Sequence, residues 1–293
     1  MNVVLTVAEV TAPVFLLAGI GFAWVRLGFD YEIEFVTRMS MTLGVPCLIF
    51  TSLMQTRIDP AALTAVSLAA VAAYAAVTAV MLGIALVLRL DLRTYLAPLV
   101  FGNTGNLGLP LALFAFGEEG LGYAVVVFAV MAVYSFTVGV WIVSGGGSLL
   151  RVVREPMVGA TLLGALFLWQ GWETPTFLTN ALSLVGQLAI PLMLITLGVA
   201  IARLTPQSFA RPALLSVLKA AACVAVAVLI GRAFGLGDVA FAVLVLQVAT
   251  PVAVTSYLLA TKYGADADAV ASLVVVSTLG SVVYLPLILA WVI

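Results

Sequence analysis

Two stretches of this sequence place amide and hydroxyl side chains among glycines and prolines inside otherwise apolar runs. Residues 98–110 contain Asn103, Asn106 and three glycines and end on a proline, and residues 247–256 surround Pro251. Glycine costs about 1 kcal/mol and proline about 3 kcal/mol in a helix interior, so neither stretch favours a continuous helix. We therefore expect two broken helices.

Each break would expose backbone N–H and C=O groups that a continuous helix pairs. Helix N-termini favour anions, and neutral amides and hydroxyls donate hydrogen bonds without adding charge, so a carboxylate suits the place where the breaks meet. The alternative is that these polar groups only repair the broken backbone or hold helices together. The candidate substrate-binding side chains are Asn103, Asn106, Gln247, Thr250, Thr255 and Ser256.

Two ionisable residues fall inside apolar runs. Lys219 is some eight residues into its run and joins the candidate binding residues, because charged groups at membrane depth are usually functional. The alternative is that its long side chain reaches back to the membrane surface. Glu9 would either exchange protons or sit near the outer surface. Cys47 and Cys223 are interpreted as apolar core residues.

The composition places the chain in a membrane. Of its 293 residues 64% are hydrophobic and 9% are charged, whereas soluble domains carry roughly 25% charged residues. A net charge of −1 with scattered basic residues excludes nucleic acid as a partner. Histidine is absent, no phosphate-binding loop occurs and the aspartates fall at the ends of apolar runs, so we expect no enzyme, no metal site and no cofactor.

Ten apolar runs are long enough to cross a bilayer core of about 30 Å, and none alternates as a strand would. The predicted fold class is all-α, an integral membrane protein with ten transmembrane helices. Nine basic residues at the run ends fall on one side and two on the other, which predicts a plasma (bacterial inner) membrane protein with both termini outside. The runs lie near residues 5–25, 36–55, 62–88, 95–116, 121–143, 156–171, 177–202, 212–234, 239–261 and 268–292.

An internal repeat predicts the domain organisation. Three prolines recur with offsets of 143, 145 and 141 residues, which divides the chain into a five-helix repeat at 1–146 and a second at 147–293. Because five is odd, the second repeat is inverted in the membrane, as in many secondary transporters. Chance recurrence is the alternative. The pairs are Pro13 and Pro156, Pro46 and Pro191, and Pro110 and Pro251.

The same segments resemble the auxin efflux carrier family, in the bacterial branch described as malonate or malate permeases, over nearly the whole chain. The strongest pieces are NTGNLGLPL at 103–111 with FGEEGLG at 116–122, and LQVATP at 246–251 with ATKYG at 260–264. Shorter matches are PVFL at 13–16, PCLIF at 46–50, and IPLM at 190–193 with Gly198.

The resemblance implies inverted repeats with a scaffold part and a transport part, whose fourth and ninth helices cross at Pro110 and Pro251. It also implies that Asn103 lines the pocket, that an elevator-type motion carries organic anions, and that the protein forms a homodimer. Two departures make auxin itself a poor fit: Ile49 stands where plant members have a serine, and the connection at 144–155 is much shorter than theirs. A small mono- or dicarboxylate fits better.

The sequence thus predicts a secondary transporter of small organic anions that works by alternating access, with the substrate at the crossover of the fourth and ninth helices. Two energy sources stay open, the membrane potential and protons carried by the substrate's carboxyl group. Two other functions also stay open. One is a sodium-coupled organic anion symporter of the bile-acid/sodium type, and the other is a non-transporting membrane receptor.

Overall fold

The computed structural model describes residues 3–55, 58–144, 156–204 and 209–293, which form helices, turns and irregular segments with a single isolated β-bridge and no strand. The all-α class is therefore confirmed for the described residues. Three π-helical turns, Ser40–Gly44, Thr104–Gly108 and Ser135–Gly139, join helical segments. The helices are α1 (Val3–Arg26), α2 (Ile33–Met39), α3 (Val45–Gln55), α4 (Pro60–Val87), α5 (Leu92–Val100), α6 (Leu109–Tyr134), α7 (Val140–Ser144), α8 (Pro156–Gln170), α9 (Thr176–Gln187), α10 (Ala189–Arg203), α11 (Ala210–Ala233), α12 (Asp238–Val248), α13 (Val254–Tyr263) and α14 (Ala267–Val292).

Six helical stretches in the described part are long and apolar enough to cross a membrane. Shorter apolar helices accompany them, and the division into ten transmembrane helices stays a prediction. The predicted repeat boundary between residues 146 and 147 lies outside the described residues. The six stretches are Ile33–Gln55, Ala61–Val87, Thr104–Ser144, Thr176–Arg203, Ala210–Ala233 and Ala267–Val292.

Three of the helices have an aspartate as their N-cap residue. Asp59, Asp91 and Asp266 precede α4, α5 and α14, and each carboxylate accepts a hydrogen bond of 3.0–3.1 Å from a backbone N–H in the first turn. Such caps satisfy N–H groups that have no partner within the helix. The position of these aspartates at the ends of apolar runs therefore has a structural cause.

A bend divides α6 at Gly117. This glycine has φ 63° and ψ −152°, a conformation that residues with a Cβ atom rarely adopt. The sequence predicts that one apolar run ends at residue 116 and the next begins at 121. The bend lies in that predicted gap, so two helical segments of different direction meet there.

The helices pack into two groups. The α1 group contains α1, α2, α3 and α8 to α10, in which α1 lies along α10, and α3 packs on α8 and α9. The α12 group contains α4 to α7 and α11 to α14, in which α6 packs on α4 and α12, and α11 packs on α12 and α14. The groups meet where α1, α3 and α8 reach α6, where α1 reaches α14, and where α10 reaches the turn Thr104–Gly108.

Glycines bring α1 and α10 together backbone to backbone. A Cβ atom on Gly21 would overlap the carbonyl oxygen of Ile195, and one on Gly198 would overlap that of Ala18. Helices in lipid gain little from apolar burial against each other, so close approach through small residues is a common basis of their association. These glycines therefore hold the α1 group together.

Gly21→Ala is expected to lower the thermal unfolding temperature of the detergent-purified protein, because overpacking a tight contact costs about 1–3 kcal/mol. Gly19→Ala is the matched control, since no atom lies within 4 Å of a Cβ atom built there. This control is expected to be neutral or stabilising by up to about 1 kcal/mol, as alanine is the better helix former. Equal unfolding temperatures for the two variants would contradict the close packing of α1 on α10.

Candidate functional site

Both predicted helix breaks occur, and they meet. The helix α5 ends at Val100 before the turn Thr104–Gly108, and α12 ends at Val248 before α13 begins at Val254. The irregular segments between these ends run antiparallel to each other at a β-bridge between Gly102 and Val252. Two segments about 150 residues apart in sequence are therefore paired at one point, which we call the crossover.

The crossover is held by backbone hydrogen bonds between the two breaks. The Asn103 N–H donates to the carbonyl of Pro251 at 2.7 Å, and the Ala253 N–H donates to the carbonyl of Phe101 at 3.4 Å. Backbone groups at membrane depth must find protein partners, because lipid provides none. Each broken helix therefore provides hydrogen-bond partners for backbone groups of the other.

Side chains of α14 provide further hydrogen-bond partners for backbone groups at the crossover. The Val252 N–H donates to Ser277 Oγ at 3.1 Å, and the Tyr284 hydroxyl donates to the Ala249 carbonyl at 3.1 Å. Ala249 follows the last residue of α12, where carbonyls lack partners within their helix. The end of α12 is thus anchored to α14.

Glycines let the two breaks approach closely. A Cβ atom on Gly102 would overlap Thr250 Oγ1, and one on Gly108 would overlap Gln247 Oε1. From the sequence alone, these glycines are interpreted only as helix breakers. In the structure they also leave room for side chains of the opposite break.

The predicted binding side chains separate into two sets. Asn106 is half-buried and Thr255 is exposed, and both line a cavity of about 260 Å³. The other side chains from the two breaks are buried and do not line this cavity, namely Asn103, Gln247, Thr250 and Ser256.

Only some of the buried polar side chains in the two breaks have hydrogen-bond partners. Thr250 Oγ1 donates to the Gln247 carbonyl at 2.7 Å, which fits the interpretation that it repairs the backbone. In contrast, Asn103 Nδ2, Thr104 Oγ1 and both amide atoms of Gln247 have no hydrogen-bond partner among the described residues. Buried polar groups almost always have a partner, so these atoms retain capacity for a water molecule or a ligand.

The cavity lies between the two helix groups. From the α1 group, α2, the turn Ser40–Gly44 and α10 line it, and from the α12 group Asn106 and the first turns of α13 line it. The first residues of α13, Val254 and Thr255, line the cavity, and Asn106 lines it from the turn that precedes α6. The N-terminus of α13 and this turn therefore form parts of the same cavity wall.

Arg203 is the only charged residue among the described residues that line this cavity. Its guanidinium donates to the Tyr31 carbonyl at 2.6 Å, and the hydroxyls of Tyr31 and Thr196 are 2.7 Å apart. Burial raises the pKa of the Tyr31 phenol, while the hydrogen bond with Thr196 lowers it. Tyr31 is therefore neutral near pH 7, and the lining has a positive charge without a carboxylate beside it.

A second cavity, of about 300 Å³, shares Met41 and Thr255 with the first. It extends along Phe101 and Ser135 toward Lys262, the one charged residue among its described lining residues. The two cavities adjoin at Thr255, and each has a basic residue.

The other predicted positions lie apart from this cavity. Lys219 is buried and lines neither cavity, and its Nζ atom is 3.8 Å from Cys223 Sγ, one turn further along α11. Pro251 borders the β-bridge, whereas Pro110 lies in the first turn of α6, beyond the turn Thr104–Gly108. Glu9 is exposed on α1.

Sequence reasoning missed the wall that α2 and α10 contribute, including Ser40, Thr196 and Arg203. From the sequence, Arg203 is only one of the basic residues that lie at the ends of the apolar runs. Its position directly after the run at 177–202, which contains the repeated Pro191, is the one sequence feature that could have singled it out.

The chain is similar to known membrane transport proteins. The model of the family described as "Membrane transport protein" matches the chain twice, over residues 6–148 and 143–289. An uncharacterised transporter of Methanothermobacter thermautotrophicus is 29% identical over 297 residues, which is 95% of this chain and 96% of the relative. Another, from Methanocaldococcus jannaschii, is 26% identical over 202 residues, 64% of each chain.

Apolar helices, a crossover of interrupted helices and the matched relatives together define a multi-pass membrane transporter that resides in a lipid bilayer and acts on a small molecule. The chain belongs to the Membrane transport protein family, the family of the auxin efflux carriers. The family resemblance seen in the sequence is thereby confirmed.

Gly102→Ala is expected to lower the unfolding temperature, because its Cβ atom meets a threonine hydroxyl that is itself held by a hydrogen bond. Thr250→Ala removes that hydroxyl. The double variant should therefore be more stable than the sum of the two single effects, with a coupling of about 0.5–3 kcal/mol. Strict additivity in thermal unfolding would show that the two residues do not touch.

Proposed function

We propose that this protein is a secondary transporter of small carboxylates, of the malate, malonate or auxin-like kind, and not an enzyme. In this proposal ten transmembrane helices form two inverted repeats, residues 1–146 and 147–293, in the plasma (bacterial inner) membrane with both termini outside. The substrate binds beside the crossover, between the fourth and ninth helices, and is exposed to each side in turn.

The observation that carries this proposal is the cavity where the N-terminus of α13, including Thr255, and Asn106 meet one arginine, with no acidic residue among the described lining. Helix N-termini attract anions through their unpaired N–H groups and the helix dipole. An amide and a hydroxyl add donors without charge, and Arg203 adds a positive charge near the same space. A carboxylate fits this set better than a cation or a neutral sugar.

The position of the cavity supports an elevator-type motion. Residues of both helix groups line it, so a displacement of the α12 group against the α1 group would change which side of the membrane the cavity faces. Close glycine contacts within the α1 group suit a rigid scaffold. The buried crossover within the α12 group suits a body that moves as one unit.

The double match of the family model supports the repeat, since each copy covers about half of the chain. A homodimer follows from the family resemblance alone, and light scattering of the detergent-purified protein tests it.

The first experiment is a thermal-shift screen of the purified protein against acetate, lactate, malonate, malate and indole-3-acetate, each with and without sodium. A ligand that binds only the folded state raises its stability, so a sodium-independent shift with one of these anions is expected. Stabilisation that requires sodium would favour a sodium-coupled symporter. A shift without counterflow of the radiolabelled anion in proteoliposomes would favour a receptor. No shift at all would contradict the proposal.

Asn106→Ala and Thr255→Ala are each expected to weaken binding of the stabilising anion about fivefold, the loss of one hydrogen bond. Thr261→Ala is the matched control, because Thr261 lies on the same helix and donates only to the Tyr257 carbonyl. It should bind as the wild type does in the same titration. Equal affinities for Thr255→Ala and Thr261→Ala would place the site elsewhere.

Arg203→Gln is expected to weaken anion binding about tenfold at low salt, and less at high salt, because exposed charges are screened. Arg211→Gln serves as its control, since Arg211 is an exposed arginine that lies over the ring of Tyr95 and lines neither cavity. A salt titration of the dissociation constant measures both. Parallel salt dependence in Arg203→Gln and wild type would exclude Arg203 from the site.

A further inference from the structure

Lys219 differs from every other described charged residue because it is buried. Only 2% of it is exposed, whereas every other described Lys, Arg, Asp and Glu is exposed. Its Nζ atom approaches Cys223, one turn deeper along α11, so the side chain does not return to the nearer membrane surface. Since all described carboxylates are exposed, none of them lies beside it as a counter-ion. A function must account for this charge, because membrane proteins rarely bury one without use.

Lys219 lies at the depth of the crossover. In α11, Ala210–Ala233, it is nine residues from one end and 14 from the other, or about 14 Å and 21 Å. The next helix, α12, returns antiparallel to α11 and ends after 11 residues, or about 16 Å. Both Lys219 and the break of α12 therefore lie near the middle of the membrane.

The surroundings of Lys219 connect it to that break. Tyr74 and Tyr284 belong to α4 and α14, and both of these helices pack on α11, which carries Lys219 and Cys223. Tyr284 in turn donates to the Ala249 carbonyl at the end of α12. This carbonyl end carries the negative pole of the helix dipole, which favours a nearby cation.

The repeat places Lys219 at a special position. At the three offsets between the repeated prolines, 143, 145 and 141 residues, Lys219 corresponds to Ala76, Tyr74 and Thr78, which are all uncharged. The helices that carry these positions, α4 and α11, pack on each other within the α12 group. The lysine thus stands where the other half has a neutral residue, so one half alone adds charge to the centre of the group.

We propose that Lys219 is the built-in countercharge of the transported carboxylate. The α12 group then moves with a net charge near zero at membrane depth when it holds a monovalent anion, and with one positive charge when it is empty. This inference rests on the proposed function, because it requires an anion that travels with the α12 group. In this proposal the lysine neutralises the charge of the transported anion, as a co-transported cation does in a symporter.

The test is a recording of charge movement without any substrate. In voltage-clamped membranes that contain the wild-type protein, voltage steps should drive the empty α12 group and produce transient charge movement approaching one elementary charge per carrier. Lys219→Met should abolish this movement, and Lys219→Arg should retain it. Arg232→Met is the matched control, because it removes an exposed charge at the end of the same helix and should leave the movement unchanged.

Folding is checked by thermal unfolding of the same variants. Lys219→Met should unfold at the same or a higher temperature than the wild type, because it removes a buried charge without leaving an acidic partner unpaired. A clearly lower unfolding temperature would mark Lys219 as a structural residue and overturn the inference. So would unchanged charge movement in Lys219→Met, or none in wild-type protein that is present in the membrane.

The two proposals fail in different ways. If malonate or lactate stabilises the protein but Lys219→Met moves as much charge as the wild type, the countercharge inference fails and the carboxylate transporter stands. If no carboxylate binds, the proposed function fails, and a charge movement that depends on Lys219 would then belong to a carrier of another substrate.

Discussion

The structure depends on one constraint, that backbone groups in lipid must be paired by the protein itself. Two helices break at membrane depth, and the pairing of Asn103 with Pro251 and of Ala253 with Phe101 lets each break supply partners for the other. Ser277 and Tyr284 of α14 supply more. The breaks are tolerated because their backbone groups are paired by the opposite break and by α14.

The meeting of the breaks has consequences for the surrounding helices. Glycine is needed where one break touches the side chains of the other, as at Gly102 and Gly108. Residues that follow the breaks, Asn106 and the first residues of α13, line the cavity at the boundary with the α1 group. The same discontinuity that requires backbone pairing on one side thus supplies part of the cavity wall on the other.

The basic residues near the crossover belong to both helix groups. The described lining of each of the two adjoining cavities contains one basic residue and no acidic one, Arg203 in the first and Lys262 in the second. Lys219 adds a positive charge deeper in the α12 group, at the level of the break but outside either cavity. Basic residues therefore occur both at the cavities and, separately, at the level of the helix break.

The sequence by itself determined the all-α class, the places of both helix breaks and the family, because each depends on local composition: apolar length, glycine and proline content, and short motifs. Only the tertiary structure decided that Asn106 and Thr255 line a cavity while Asn103, Gln247 and Thr250 are buried. It also brought Arg203 to the cavity and turned Lys219 inward. These outcomes depend on which helix faces meet across more than 100 residues of chain, and in a sequence that is 64% hydrophobic the pattern of polar residues does not select one packing of the helices.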